Sequence, residues 1–173
     1  FAKNFEHTLA NTKATFILVP TPSKKNAEFD NRFIVDSLLK IGKHLKAAEF
    51  NELTNDPDTI LIDFRNHYEH EVGHFKGAHL PDVDTFRESL PYIEETILKG
   101  NEDKNIVMNC TGGIRCEKAS AWYKHRGFEN VHQLEGGIIK YANDAKERGI
   151  ENKFIGKNFV FDQRLGERIT EEI

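Results

Sequence analysis

A cysteine stands directly between a strand-forming stretch and a helix-forming stretch of the chain. Cys110 follows the apolar run 105–109 and opens the loop Cys-Thr-Gly-Gly-Ile-Arg, residues 110–115. Backbone N–H groups of such a loop can converge into a nest that binds anions. The same dipoles stabilise a thiolate, which lowers the pKa of a cysteine and makes it nucleophilic. The pattern predicts Cys110 as the catalytic residue, against the alternative of a small buried residue at a strand end.

The residues after Cys110 are candidates for holding a substrate. Arg115 carries a rigid fork of donors that suits an oxyanion or phosphate, although it could instead bond strand-end carbonyls or Asp63. Two successive glycines allow a tight turn and a close approach to a substrate. The predicted oxyanion or substrate-binding residues are those of the loop after the cysteine: Thr111, Gly112, Gly113, Ile114 and Arg115.

Three further residues could support this loop. Cys116 lies one helical turn beyond it, where a second thiol could resolve an oxidised or persulfidated Cys110, or simply pack under the loop. Asp63 and Arg65 follow another buried-type strand. They could assist the chemistry, but we favour an ion pair that holds the loops in place.

Composition narrows the class of protein. The chain has 173 residues, a net charge of −4 and two cysteines. The length therefore predicts a single hydrophobic core. Two cysteines are too few for a disulfide framework, and the negative net charge does not favour an overall cationic surface for nucleic acid. Its apolar runs are far too short for a membrane span, and we recognise no secretory signal. We expect a protein of the reducing cytoplasm that has no membrane contact, and no protein partner can be inferred.

The elements that must position these residues alternate from residue 46 onwards. Apolar runs and breakers predict strands at 59–64, 105–109 and 130–134, and helices at 47–53, 65–72, 84–99, 114–126 and 138–148. Asp84 is the expected N-cap of the third helix, residues 73–81 are expected to form a loop, and the chain after Gly149 is expected to be irregular. Such alternation is typical of an α/β fold with a parallel sheet and helices on both faces, whose sites form at the carboxyl ends of strands.

A zinc-peptidase pattern also occurs in the chain. His70-Glu71-Val72-Gly73-His74 matches H-E-x-x-H. Both histidines must lie one turn apart on a continuous helix, which Gly73 weakens, and Leu80 stands where the extended pattern needs a ligand. We therefore predict no metal site and expect His67, His70 and His79 at the surface.

Four stretches resemble motifs of rhodanese-like domains. The loop at 110–115 is similar to their active-site loop, residues 61–65 to the strand ending in Asp-x-Arg, 73–78 to the Gly-His-Ile-x-Gly-Ala loop, and 134–137 to the late Gly-Gly turn. They occur in the family's order over about residues 46–145. Tyrosine-phosphatase loops have five residues between cysteine and arginine, whereas this loop has four, which disfavours a phosphatase.

Longer strings resemble a narrower family, the prokaryotic rhodanese-like tRNA uridine hydroxylases. These strings are CTGGIRCEKASAW at 110–122, QLEGGIIKY at 133–141 and FVFDQR at 159–164. The resemblance implies oxygen-dependent conversion of the wobble uridine to 5-hydroxyuridine, with tRNA bound at its anticodon region. Molecular oxygen is then a co-substrate alongside an unknown reductant. We recognise no flavin, haem or iron motif and predict no cofactor.

The resemblance also implies how the chain is organised. Residues 1–45 are expected to form part of a ferredoxin-like N-terminal α+β segment, 46–150 the rhodanese-like catalytic domain, and 151–173 a C-terminal extension. Two other functions stay open. One is a sulfurtransferase that passes sulfur through a Cys110 persulfide, and the other is a non-catalytic module that keeps the loop as an anion site.

Overall fold

A parallel sheet of four strands positions the cysteine loop. The computed structural model describes residues 42–161 and 165–170. The strands are β1 (Lys43–Leu45), β2 (Thr59–Asp63), β3 (Gly73–Phe75), β4 (Asn105–Asn109), β5 (Val131–Leu134), β6 (Phe154–Asn158) and β7 (Glu167–Arg168). The helices are α1 (Ala47–Leu53), α2 (His67–His70), α3 (Phe86–Ile93, continued by a π-helical turn over Glu94–Leu98), α4 (Ile114–His125) and α5 (Gly137–Arg148).

The main sheet has the strand order β1-β5-β4-β2, with every pair parallel. β2 and β4 are buried on both faces because their residues alternate between two apolar clusters. The first cluster lies against α3 and α4 and includes Ile62, Met108 and Tyr123. The second lies against α1 and α5 and includes Phe50 and Tyr141. The predicted parallel sheet with helices on both faces is confirmed.

The main sheet begins before residue 46, since β1 pairs with β5. The rest of the predicted segment 1–45 lies outside the described residues, apart from Gly42. Part of the predicted 151–173 extension is an integral part of the fold, because β6 pairs with β3 and its Phe154 is buried in the second cluster.

A second, antiparallel sheet of order β3-β6-β7 corrects two predictions. Residues 73–75 are a strand rather than a loop, and 154–158 are a strand rather than irregular chain. Gly73 opposes Gly156, and a Cβ at Gly73 would lie 2.4 Å from the Lys157 carbonyl oxygen. Glycine permits this close approach of two backbones. Because glycine is depleted in strands, its presence also made both strands hard to predict from the sequence.

The third helix also differs from its prediction. Its N-cap is Thr85 rather than Asp84, because the Thr85 hydroxyl accepts from the Glu88 N–H at 3.3 Å. The regular helix ends at Ile93, and the chain widens into a π-helical turn over Glu94–Leu98. Within the described part of the chain, no helix is both long enough and apolar enough to cross a membrane.

Candidate active site

Cys110 lies at the carboxyl end of β4, where the sheet places the cysteine loop between β4 and α4. Its side chain is buried. Gly113 takes the left-handed conformation (φ 92°) and caps α4, so the chain turns sharply back over the sulfur. The Gly113 N–H donates to Cys110 Sγ at 3.1 Å. The predicted arrangement of strand, cysteine, glycine turn and helix is present.

The loop is built to hold Cys110 as a thiolate. The pKa of Cys110 is lowered from 9.0 to about 6, chiefly by a hydrogen bond from the Cys116 thiol. Burial opposes this effect, and the backbone N–H groups of Cys116, Arg115 and Gly113 add to it. Several donors aimed at one sulfur favour its charged form. A cysteine with a pKa of about 6 is mostly ionised at neutral pH, and the thiolate is the nucleophilic form of the side chain.

Cys116 is the complementary partner. It is completely buried, and burial together with the Cys110 sulfur raises its pKa well above 9.0. Cys116 thus stays a protonated donor while Cys110 carries the charge. Both cysteines are free. The resolving role of Cys116 stays a prediction.

The start of α5 fixes the cysteine loop from outside. The Ile138 N–H donates to the Cys110 carbonyl at 3.0 Å, and the Ile139 N–H donates to the Thr111 carbonyl at 3.2 Å. In a trans peptide the following N–H points opposite to the carbonyl, so the N–H groups of Thr111 and Gly112 face away from α5. Gly137 allows this contact, because a Cβ there would lie 2.5 Å from the Cys110 carbonyl oxygen.

Arg115 does not bond Asp63, because a carboxylate from α2 holds it. Its Nη1 and Nη2 groups donate to the two carboxylate oxygens of Glu69 at 2.7 and 3.2 Å. The Thr111 hydroxyl donates to the same carboxylate at 3.4 Å. Glu69 is completely buried, whereas the side chain of Arg115 is 25% exposed. Two of the five guanidinium N–H groups are thus used for positioning, and the partly exposed arginine stands at the edge of the loop.

The sequence analysis did not predict a role for Glu69, because a glutamate in a short polar helix is usually exposed to solvent. One signal was available. Asn66 precedes Glu69 by three residues, the spacing of a capping box, and the Asn66 N–H donates to the Glu69 carboxylate at 3.0 Å. Of the other predicted loop residues, Gly112 is exposed and Ile114 is 76% exposed, so both face the solvent side of the loop.

Asp63 and Arg65 form a fully buried ion pair of 2.7 Å, the arrangement that we favoured for them. Arg65 also donates to the carbonyls of Glu69 at 3.2 Å and Gly73 at 2.7 Å. Its guanidinium carbon lies 5.7 Å from the centre of the Phe154 ring. Arg65 therefore ties β2 to α2, β3 and β6. Through Glu69, this pair supports the position of Arg115.

A second polar contact lies at the start of α4. Glu117 accepts from His44 at 2.8 Å and from Gln133 at 3.1 Å. Burial raises the pKa of Glu117, but the bonds from His44 and Gln133 outweigh it and leave the pKa below its usual value. The same bond to Glu117 raises the pKa of His44. Glu117 is thus engaged in joining α4 to β1 and β5.

Proteins similar to this chain have the same fold. Residues 46–144 match the rhodanese-like domain family. The chain belongs to this family. Two solved structures share the fold, each with a TM-score of 0.52. The rhodanese-like domain of an Anabaena protein is 17% identical and covers 67% of this chain and 80% of its own. A Rhodopseudomonas palustris protein described as a possible tyrosine phosphatase is 22% identical and covers 65% and 87%.

More similar relatives of this rhodanese-like chain are proteins named tRNA uridine(34) hydroxylase. The protein of Salmonella arizonae is 61% identical over 133 residues, and that of Photorhabdus laumondii is 58% identical over 134. These matches cover 77% and 78% of this chain but 38% of each relative. The matched part of this chain thus spans well under half of their length.

The zinc-peptidase pattern of the rhodanese-like chain does not form a metal site. His70 ends α2, whereas His74 lies in β3, so the two histidines do not share a helix. His70 Nε2 bonds the Pro81 carbonyl at 3.1 Å, and His74 Nδ1 bonds the His70 carbonyl at 3.1 Å. His70 is buried, which corrects the predicted surface position, while His79 is exposed as predicted. The described residues contain no cluster of three or more candidate metal ligands.

Proposed function

We propose that the protein is a tRNA uridine hydroxylase that converts the wobble uridine of tRNA to 5-hydroxyuridine in the cytoplasm. The similarity to proteins of that name carries the proposal. A match of 134 residues within a chain of 173 must include residues 40–134, and hence the whole cysteine loop. The aligned region, which is about 60% identical on average, therefore spans the loop that holds Cys110.

The site supplies the nucleophile that such a reaction needs. In the proposed mechanism the Cys110 thiolate adds to C6 of the uracil ring, and the electron pair of the C5–C6 double bond moves toward C5 and O4. C5 becomes electron-rich enough to react with molecular oxygen. Loss of the C5 proton and of the thiolate from C6 then restores the double bond.

The atoms balance only with a reductant. One oxygen atom stays on C5, and the other leaves as water after it takes up two electrons and two protons. We assign those electrons to an external two-electron reductant. In this scheme the loop N–H groups and Arg115 stabilise the negative charge that develops on the uracil oxygen, as donors do in an oxyanion hole.

A rhodanese-type sulfurtransferase is the second candidate, because the same thiolate can carry a persulfide. A non-catalytic anion module is the third. The lowered pKa of Cys110 favours chemistry over that module, since simple anion binding does not require a charged sulfur.

Isotope labelling tests the proposal. Full-length protein and its Cys110→Ser variant are incubated with tRNA and reductant under ¹⁸O₂, and the nucleosides are analysed by mass spectrometry. We expect 5-hydroxyuridine that carries the heavy isotope with the wild type and none with the variant. Thiolated uridine in its place, or rapid turnover of thiosulfate without tRNA, would instead support the sulfurtransferase.

A further inference from the structure

Three aromatic side chains form a connected group on the surface, which we call the aromatic cluster: Tyr68, Phe159 and Phe161. The ring centres of Tyr68 and Phe159 are 5.5 Å apart, and those of Phe159 and Phe161 are 5.1 Å apart. Tyr68 is 37% exposed and Phe161 is 66% exposed. Exposed aromatic surface that is grouped in this way marks an interaction site more often than single exposed residues do.

Helix α2 connects the aromatic cluster to the cysteine loop. Tyr68 directly precedes Glu69 in α2, and the Glu69 carboxylate contacts both Arg115 and Thr111. Tyr68 is thus the sequence neighbour of the residue that holds the edge of the loop. Burial lowers the pKa of Arg115, but Glu69 outweighs this effect, and the interaction with Tyr68 helps to raise that pKa. Phe159 and Phe161 follow β6, which the Arg65 guanidinium helps to fix through Phe154.

The ring geometry suits stacking. Both pairs meet edge to face, at interplanar angles of 72° and 76°, so the rings do not cover each other as stacked rings would. Phe161, the most exposed member, presents open aromatic surface to solvent. Unpaired RNA bases bind by stacking on such rings, and the contact tolerates any base.

Tyr68 adds a polar contact. Its hydroxyl oxygen accepts from the Asn66 side chain at 2.9 Å, and a hydroxyl that accepts one hydrogen bond can still donate its proton to a ligand. An aromatic surface with a hydroxyl donor matches a nucleotide, which has a flat ring and many acceptor oxygens. An apolar protein segment would leave that donor without a partner.

We propose that the aromatic cluster is a stacking platform for an unpaired tRNA base that neighbours the uridine presented to Cys110. The proposal rests on the proposed function and names residues that position its substrate. Cys110 is buried within its loop, so the reacting uridine must leave the base stack of the tRNA loop to reach it. The neighbouring base then loses its stacking partner, and the aromatic rings of the platform take the place of that partner.

Stem-loop binding tests the platform. The probe is an anticodon stem-loop RNA with the fluorescent base 2-aminopurine beside the wobble uridine, bound to full-length protein. The variants are Phe161→Leu, Tyr68→Leu and Phe161→Trp. The matched control is Tyr92→Leu, because Tyr92 is 42% exposed but lies outside the aromatic cluster.

We expect the wild type to quench the fluorescence, and either leucine variant in the cluster to weaken binding by about 5- to 150-fold. KM for tRNA should rise by a similar factor while kcat at saturating tRNA stays unchanged. Phe161→Trp should retain binding, because it keeps an aromatic face, and Tyr92→Leu should behave as wild type. Leucine variants that bind and quench as the wild type does would overturn the platform.

Two further outcomes have distinct meanings. If Phe161→Leu lowers the melting temperature far more than Tyr92→Leu and leaves RNA binding intact, the rings serve protein packing instead, and the platform is wrong. If the wild type forms no Cys110-dependent 5-hydroxyuridine but the cluster variants alone lose RNA binding, the proposed function fails and the platform stands as an RNA-binding surface.

Discussion

Replacement of Cys116 by alanine should raise the pKa of Cys110 and slow its alkylation at neutral pH. The Cys116 thiol is the largest cause of the drop in the Cys110 pKa from 9.0 to about 6. A hydrogen bond to a charged group contributes about 1.5–3 kcal/mol, which corresponds to about one to two pKa units. We therefore expect the pKa of Cys110 in Cys116→Ala to be about 7–8.

The change in reactivity follows from the thiolate fraction. With a pKa of about 6, roughly nine-tenths of Cys110 is ionised at pH 7, whereas a pKa of about 7–8 leaves about one-half to one-tenth. The rate of reaction with iodoacetamide at pH 7 should thus fall by about 2- to 10-fold, with little change at pH 9.

The assay is a pH series of iodoacetamide alkylation rates, followed at Cys110 by peptide mass spectrometry. Cys116→Ser is the matched variant, because it keeps a donor and should fall between the wild type and Cys116→Ala. A midpoint that stays near that of the wild type in Cys116→Ala would refute the reasoning and leave the backbone N–H groups as the cause. A wild-type midpoint near 9 would contradict the nest itself.

Three more predictions concern the stability of the site. Since folding lowers the pKa of Cys110, its thiolate contribution to stability is complete above pH 9, the range of an ordinary cysteine, and is lost as the pH falls through about 6. In urea unfolding, the stability of the wild type relative to Cys110→Ser should increase as the pH rises from about 6 to 9. A stability difference that does not change with pH would count against the lowered pKa. Glu69→Gln removes the charged partner of Arg115 and should cost about 2–3 kcal/mol in urea unfolding, with slower alkylation by the anionic reagent iodoacetate if Arg115 leaves the loop. Gly137→Ala should be severely destabilising because its Cβ meets the Cys110 carbonyl, whereas Gly149→Ala, at a similar φ of 65° but in open space, should cost only about 1–2 kcal/mol. Equal losses of thermal stability in the two variants would show that the α5 contact does not constrain the loop.

The main sheet and the cysteine loop could be predicted from the sequence because their signals are local. β2 and β4 are short, continuous apolar runs, the pattern typical of a strand that is buried on both faces. The position of Cys110 follows from such a strand, two glycines and a helix. Nothing beyond neighbouring residues is needed to infer a nest there.

The antiparallel sheet and Glu69 could not be predicted because their causes are non-local. β3 and β6 contain the glycines that their close approach requires, and those glycines erase the usual strand pattern. The buried carboxylate of Glu69 is paired with Arg115, which lies 46 positions away in the chain. A carboxylate pattern along one short helix carries no information about that partner.

The conformation of the cysteine loop therefore depends on residues outside it. α5 draws the Cys110 and Thr111 carbonyls to one side, while Glu69 holds Thr111 and Arg115 at the loop's edge. With its carbonyls occupied, the loop can present N–H groups to the sulfur and to an oxyanion without a rearrangement, which is what preorganised stabilisation requires. The late Gly-Gly turn then has a direct mechanical role. It brings the start of α5 against the cysteine loop, at a distance that a side chain on Gly137 would prevent.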